Sequence, residues 1–505
     1  MIFLLPRFSK MEEKLTDQEL ARREKLRKLV ELGVNPYGQR YERTDSSKSA
    51  KAKLEGKTNE ELEKNPVNVK VAGRVMFLRK MGKASFLSIQ DKEGKIQGYI
   101  SIDTVGEKNY EIFKLTDVGD IVGLGGTLMF TKTGEITVRV DEFTFLTKSL
   151  KPLPEKFHGL TDVEERYRHR YLDLIMNEDS KKIAFLRPKM IRAIQHFLDA
   201  KGFVEVETNV LQPILGGAAA RPFVTHHNTL DKDFYLRIAT EIALKKLIVG
   251  GMEKVYEIGR LFRNEGMDTK HNPEFTTIEL YEAYSDLKNI GLLWEELLRA
   301  VAKETTGKTS FICGGNTIDL EPEFKWVSMS GLVKEKLGID FTRKDLSFEE
   351  AKAFAKSKGI EIEKHWTSNG YILNALFEEF CEKDLVQPTF LYGHPIEISP
   401  LTKKSEDPRF TERFELYING MEYANAYSEL NDLEDQKERF LAQLKARELG
   451  DEEANDIDYD FLNALAYGMP PTGGIGMGID RLAMFLAEVD SITEVILFPA
   501  MKDAK

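Results

Sequence analysis

The spacing of apolar and polar positions divides the chain into a helical start, a run of short strands and a long mixed body. Residues 12–32 predict a helix: Thr16 with Glu19 fits a capping box, and Gly33 fits the stop. Leu26, Leu29 and Val30 form one narrow apolar stripe, while Arg22, Arg23, Arg27 and Lys28 crowd the remaining surface. That basic surface reads either as a solvated face or as a phosphate contact. Residues 38–66 are polar and predict loops or short helices, which makes 1–66 an N-terminal helical extension.

From 67 to 147 the period changes to that of strands. Val69–Leu78, Phe86–Gln90, Ile96–Ile100, Ile121–Phe130 and Ile136–Leu146 are β-branched or aromatic runs broken by Gly, Lys and Asp. Five strands in about 80 residues fit a small closed barrel such as an OB-fold, a frequent oligonucleotide binder; a β module with no such role is the alternative. Lys148–Lys156, with Pro152 and Pro154, reads as a linker.

Residues 157–505 predict a single α+β domain, with a helical insertion over about 286–390. Helices are expected at Ile183–Gly202, Leu287–Thr306, Phe348–Lys358 and Gln436–Leu449, and strands at 203–208, 234–238, 254–264, 274–284, 413–428 and 473–479. Strands that follow one another directly, as at 254–284, imply antiparallel pairing flanked by helices, not βαβ units.

Composition narrows the class. At 505 residues, 42% hydrophobic and 31% charged, the chain has an ordinary globular balance, which excludes disorder as the main state. No apolar run approaches the length of a membrane span. Ile2-Phe3-Leu4-Leu5 stops at Pro6, too short for a secretory signal, and Met11 offers an alternative start that makes 1–10 a leader. Cys313 and Cys381 form no C-x-x-C pair, so a cytoplasmic protein without a disulfide framework or thiolate zinc site is expected. The net charge of −11 is uneven: residues 1–147 hold 26 Lys+Arg against 22 Asp+Glu, the rest 46 against 61. A basic front on an acidic body suits a polyanionic partner at the front, although chance variation gives the same imbalance.

Two glycine-bearing segments imitate nucleotide loops. Ala302–Thr309 resembles a P-loop, but a helical run precedes it, and Gly307 reads as that helix's stop. Gly474-x-Gly476-x-Gly478 departs from G-x-G-x-x-G and has too little chain behind it for a Rossmann unit; its glycines let something approach the backbone closely.

The candidate chemistry lies on strands. In Val255–Glu265, Arg263 and Glu265 share a face; in Glu274–Tyr284, Phe275, Thr277, Glu279 and Tyr281 share a face while Ile278 and Leu280 point away. A solvated sheet face is the bland alternative to a site with an arginine fork for phosphate or carboxylate, two acids and a stacking ring. Arg413–Ser428 predicts a hairpin turning at Asn419-Gly420, with 417 opposite 422 and 415 opposite 424. Glu415 and Glu422 then lie diagonally on one face, where a divalent cation such as Mg²⁺ relieves their repulsion. Asn425, Tyr427 and Glu429 fall on the other parity, unless a bulge re-aims them. Arg481 sits in the first turn of a helix at Ile479–Glu488, an anion site by position, or else an ordinary surface arginine.

Taken together, these segments resemble the class II aminoacyl-tRNA synthetases of class IIb, and among them the lysyl-tRNA synthetases, over nearly the whole chain. Gly202-Phe203-x-Glu205-Val206-Glu207-Thr208 is similar to motif 1, Phe262-Arg263-Asn264-Glu265 with His271-x-x-x-Phe275 to motif 2, and Gly474 to Arg481 to motif 3. Gly216–Phe223, His271–Phe275 and Asn425–Asp432 match lysyl-type signatures. The chain departs from the family at Asn209 and at Thr240, where proline is usual.

The resemblance implies a lysine–tRNA ligase that forms lysyl-adenylate from L-lysine and ATP and passes lysine to tRNA(Lys). It implies catalytic Arg263 and Arg481, with ATP held by these two and by Glu265, His271, Asn272 and Phe275. Lysine would be held by Gly217, Glu241, Arg263, Glu279, Tyr281, Asn425, Tyr427 and Glu429, and Mg²⁺ by Glu415 and Glu422. Arg74, Phe86, Gln97 and Glu135 would read the anticodon on the OB-fold barrel, and a homodimer is implied. The residues agree, because a buried ammonium needs carboxylate partners and Glu241, Glu279 and Glu429 supply them. The competing readings are the same fold selecting aspartate or asparagine, an inactive tRNA-binding regulator, and a P-loop ATPase using Lys308.

Overall fold

The computed structural model describes residues 15–503 other than 39, 155–159, 161, 215, 218–219 and 450–456. Met11 with the leader 1–10, Ala218 and Ala219 of the Gly216–Phe223 segment, and Lys156 of the linker lie outside the described residues. Two compact units are present, Met1–Gly159 and Leu160–Lys505.

In the first unit the opening helix spans Asp17–Glu31, and Thr16 and Glu19 form the reciprocal capping box. Its basic surface is only partly solvated. Arg22 is buried, donating to Val118 O at 2.8 Å and Ser149 O at 3.0 Å. Strands Asn68–Met81, Ala84–Gln90, Lys95–Ser101, Ile121–Phe130 and Ile136–Thr147 close a barrel in the order first, second, third, fifth, fourth. Burial alternates along Ala84–Gln90, so Leu87 and Ile89 enter the core while Phe86 faces outward. A helical segment over Ile102–Lys114, broken by non-helical backbone at Gly106, joins the third strand to the fourth; the sequence pattern did not predict it. The expected linker begins later than Lys148, whose ammonium is buried between Asp117 (2.7 Å) and Asp120 (2.8 Å).

The second unit is built on an eight-stranded sheet. Its order is Lys325–Ser328, Thr389–Tyr392, Arg413–Ile418, Met421–Ser428, Thr472–Gly478, Glu274–Ala283, Lys254–Phe262 and Val204–Glu205. The six central strands are antiparallel, and only the pair at each end is parallel. Helices Glu178–Ala200, Leu287–Thr306 and Ile479–Ala487 cover one face, packing Ile194, Trp294 and Phe485 against Ile278, Leu280, Phe414 and Ile475. This leaves the opposite face of the central strands for polar chemistry. Among the described residues no helix is long and apolar enough to cross a membrane.

Both decoys resolve as ordinary structure. The helix Leu287–Thr306 ends on Gly307 at φ +81°, and a strand, Ser310–Cys313, follows, so Ala302–Thr309 is no P-loop. The glycines Gly474, Gly476 and Gly478 lie in the central strand Thr472–Gly478 and are not a loop.

The hairpin register needs one correction. Asn419 and Gly420 take positive φ at the turn, and Tyr417 faces Glu422 as expected. Glu415, however, faces Asn425 and not residue 424, because the ladder slips by one residue between Leu416 and Tyr417. The extra residue on the returning strand is a bulge at Tyr423.

Candidate active site

The bulge decides what the sheet presents. It brings Asn425 and Tyr427, on one side of Tyr423, and Glu422, on the other, to the same face as Arg413 and Glu415. The neighbouring strands add Glu279 and Tyr281, which pair with Gly476 and Gly474. A cavity of about 1420 Å³ opens over this face. Its lining includes Gly217, Glu241, Arg263, Glu265, His271, Asn272, Phe275, Glu279, Tyr281, Glu415, Glu422, Asn425, Tyr427 and Arg481. All the residues expected in the second unit therefore surround one space except Glu429, which lies in the wall behind it, 1% exposed.

One end of the cavity is cationic. Arg263 follows the strand Lys254–Phe262, held by its amide donating to Pro273 O at 2.8 Å. Its guanidinium lies 5.2 Å from the centre of the Phe275 ring, and its Nε is buried with no partner. Burial, with Arg481 nearby, pulls its pKa down, and Glu265, Glu422 and Glu279 act against this. Arg481 donates to Glu422 O at 2.5 Å. Its helix is pinned to the strand of Phe275 by Asp480, which accepts from the Thr276 amide at 2.7 Å and from Arg187 at 2.9 Å. His271 is exposed and paired with Asp268 at 2.9 Å. The Asn272 side chain is engaged by backbone, donating to Glu274 O at 2.6 Å and accepting from Ala500 N at 3.2 Å.

Beside this end the two expected metal ligands carry opposite electrostatics. Burial would raise the Glu415 carboxyl, but His394 (3.3 Å), Arg413 (2.6 Å) and Tyr417 (2.9 Å) outweigh it and hold it well below the usual carboxylate range. Glu422 is pushed up to about 7 by burial and by the Glu415 charge. A further cation beside Glu422 would relieve its repulsion with Glu415. Two carboxylates on one cavity face are a donor set that a divalent ion would fit.

The other end is anionic. Glu241 opens the helix Glu241–Val249, and Thr240, just before it, donates its amide to Glu279 Oε1 at 3.2 Å. Proline at 240 could not make that bond. Tyr281 donates to Glu279 Oε2 at 3.3 Å. Burial, with Glu241 nearby, pushes Glu279 up to about 7, and burial pushes Glu429 up to about 8 although Lys245 lowers it. Glu429 is ion-paired with Lys245, yet neither of its oxygens receives a well-formed hydrogen bond, so it keeps capacity for another donor. A side chain on Gly474 would overlap the Glu429 carboxylate and lie 2.5 Å from the Tyr281 ring. This is the close approach for which the glycine is needed. Gly217, at φ +90°, packs a backbone segment against Ala239 and Glu241.

Sequence reasoning missed Arg413, His394, Asp480 and Lys245. Only Lys245 carried a local signal, its i,i+4 spacing from Glu241.

In the first unit, Phe86 and Gln97 lie on the outer face of adjacent strands. Phe86 packs against Tyr99 at 5.1 Å, and Gln97 accepts from Thr137 at 2.8 Å. Arg74 pairs with Gln90 on that same face and donates to Gly119 O at 2.8 Å. Glu135 is exposed in the turn before the fifth strand, 4.0 Å from Lys51.

Comparison with known proteins matches residues 162–502 to the family of tRNA synthetases class II (D, K and N), and residues 69–146 to the OB-fold nucleic acid binding domain. A lysine–tRNA ligase of Streptococcus sanguinis is 55% identical, over 97% of this chain and 99% of that protein. The lysine–tRNA ligase of Lactococcus lactis subsp. lactis is likewise 55% identical over 97% and 99%. That of Bacillus subtilis is 53% identical over 97% of this chain and 98% of its own length. Matched along nearly its whole length, the chain belongs to the class II tRNA synthetases, in the group of the D, K and N enzymes.

Proposed function

We propose that the chain is a lysine–tRNA ligase, activating L-lysine with ATP to lysyl-adenylate and pyrophosphate and then esterifying tRNA(Lys). Lysine–tRNA ligation is supported by the full-length relatives. The observation that carries it here is the pocket itself: three buried carboxylates, Glu241, Glu279 and Glu429, at one end and an arginine with an unpartnered buried Nε at the other. Lysine has two ammonium groups for the first end and a carboxylate for the second. A pocket for aspartate or asparagine would not gather three acids.

The lysine carboxylate is ionised at neutral pH and attacks the α-phosphorus without a general base. Rate acceleration comes from placement and from neutralising charge that builds on the phosphate. Arg263 bridges the lysine carboxylate and the α-phosphate, and Phe275 stacks on adenine. Arg481 covers the adenine's other side and reaches the γ-phosphate, while Glu265, His271 and Asn272 complete ATP binding. Glu241 and the Gly217 backbone take the α-amino group. Glu429 and Tyr281 take the ε-ammonium, with Glu279, Asn425 and Tyr427 closing the pocket. Glu415 and Glu422 would hold Mg²⁺, which would supply neutralisation of polyphosphate charge.

Phe86, Gln97, Arg74 and Glu135 read the anticodon from the barrel. Two copies pair as a homodimer, and we assign to that pairing the exposed Val204 of the segment that resembles motif 1 and the exposed Val210, Leu211 and Ile214 that follow it. ATP and tRNA are cytoplasmic pools, which is the setting we assign. The test is ATP-dependent charging of a tRNA(Lys) transcript: lysine is expected to be esterified and aspartate and asparagine not, and the reverse selectivity would overturn the reading.

A further inference from the structure

The reaction described above makes no use of a fourth charge inside the amino-acid pocket. Lys245, one turn along the helix from Glu241, is wholly buried and does not line the cavity. Its Nζ donates to Glu241 Oε1 at 2.5 Å and is ion-paired with Glu429. The rings of Tyr427 and Phe461 each lie 5.9 Å from it. The groups that face this cluster are Glu241 from the same helix, Glu279 and Tyr281 from one strand, Tyr427 from another, and Glu429 just beyond the end of that strand. Arg413 acts on Tyr427 from the next strand and is itself engaged with Glu415 and Asn425.

Three carboxylates buried together repel, and a buried acid without a counter-charge protonates. One resident cation leaves the fully ionised cluster short of two positive charges. Free lysine carries two ammonium groups. An amino acid with a single ammonium group leaves one carboxylate uncompensated and pays its desolvation.

We propose that Lys245 is a specificity-determining positioning residue: a built-in counter-cation that offsets the charge of the buried acids and holds Glu241 and Glu429 in place, so that only an amino acid with two ammonium groups completes the pocket's charge. This rests on the lysine reading above. Burial already pushes Glu429 up to about 8 with Lys245 present, and removing the cation moves it further in the same direction. Each further unit leaves about tenfold less carboxylate at neutral pH.

The test is lysine-dependent pyrophosphate exchange by the full-length protein, comparing wild type with Lys245→Met and Lys245→Gln between about pH 6.5 and 9. The expected result is a lysine KM raised at least about tenfold at pH 7 in both variants, the gap narrowing as pH rises. kcat at saturating lysine and the KM for ATP should stay within about twofold. Thermal melting checks that both variants fold. An unchanged lysine KM overturns the proposal. So does a loss that is equal at every pH and shared by kcat and the ATP KM, which marks a packing role. If neither variant folds even with lysine and ATP present, Lys245 is a folding residue and the assignment is overturned. Absence of lysine-dependent exchange in the wild type is a different outcome, and refutes the lysine reading itself.

Discussion

Glu415 faces Asn425 directly across the hairpin, one residue out of step with the turn at Asn419-Gly420. That single slip gives the site its unity. With equal strands, Glu422 would face the cavity while Asn425, Tyr427 and Glu429 turned into the apolar core. With the bulge at Tyr423, the acid pair beside the arginines and the acids of the amino-acid pocket share one surface.

The acid pair gives the first prediction. Glu422 is pushed up to about 7 beside Glu415, which fits a site that a divalent cation completes. Glu422→Gln should raise the Mg²⁺ concentration needed for half-maximal pyrophosphate exchange several-fold while leaving the melting temperature unchanged. A Mg²⁺ titration identical to wild type would make the pair structural.

Arg263 gives the second. Its role depends on a planar fork whose Nε has no protein partner. Arg263→Lys keeps the charge but not the fork. Adenylate formation should fall at least about 10²-fold. Exchange near the wild-type rate would show that charge alone suffices.

The third concerns pH. Burial raises Glu279 to about 7 and Glu429 to about 8 in the free pocket, so both hold protons below those values. A bound ammonium lowers the pKa of each, so lysine binding releases protons and tightens as pH rises from about 6 to 8. Calorimetry in buffers of different ionisation enthalpy should show proton release at pH 7. A binding enthalpy independent of buffer would contradict the assigned pocket.

The barrel strands and the cap at Thr16 were legible because their signals are local: alternation, β-branching, and an acceptor three residues from its partner. The turn at Asn419-Gly420 was legible for the same reason. The bulge was not, because counting back from a turn assumes strands of equal length. The helix Ile102–Lys114 escaped because Gly106, at φ +78°, interrupts its apolar spacing. Lys245 and Arg413 escaped for another reason. A lone basic residue reads as solvent-facing, and here both are drawn inside by carboxylates: Lys245 by Glu429, distant in sequence, and Arg413 by Glu415 and a backbone carbonyl.

The fourth prediction separates the two units. Phe86 alternates with core residues Leu87 and Ile89 and faces outward against Tyr99. If it stacks on an anticodon base, Phe86→Ala should lower the efficiency of tRNA charging by about 5- to 150-fold. Lysine-dependent pyrophosphate exchange should not change. Loss of both activities together with a lower melting temperature would assign Phe86 to the core.

The central claim is that the carboxylate end of this cavity selects lysine. Amino-acid-dependent pyrophosphate exchange, run with the purified chain and each of the twenty amino acids in turn, tests it most directly. Exchange should depend on lysine, with aspartate and asparagine at background. Exchange driven by aspartate or asparagine, or none with lysine, would contradict the account.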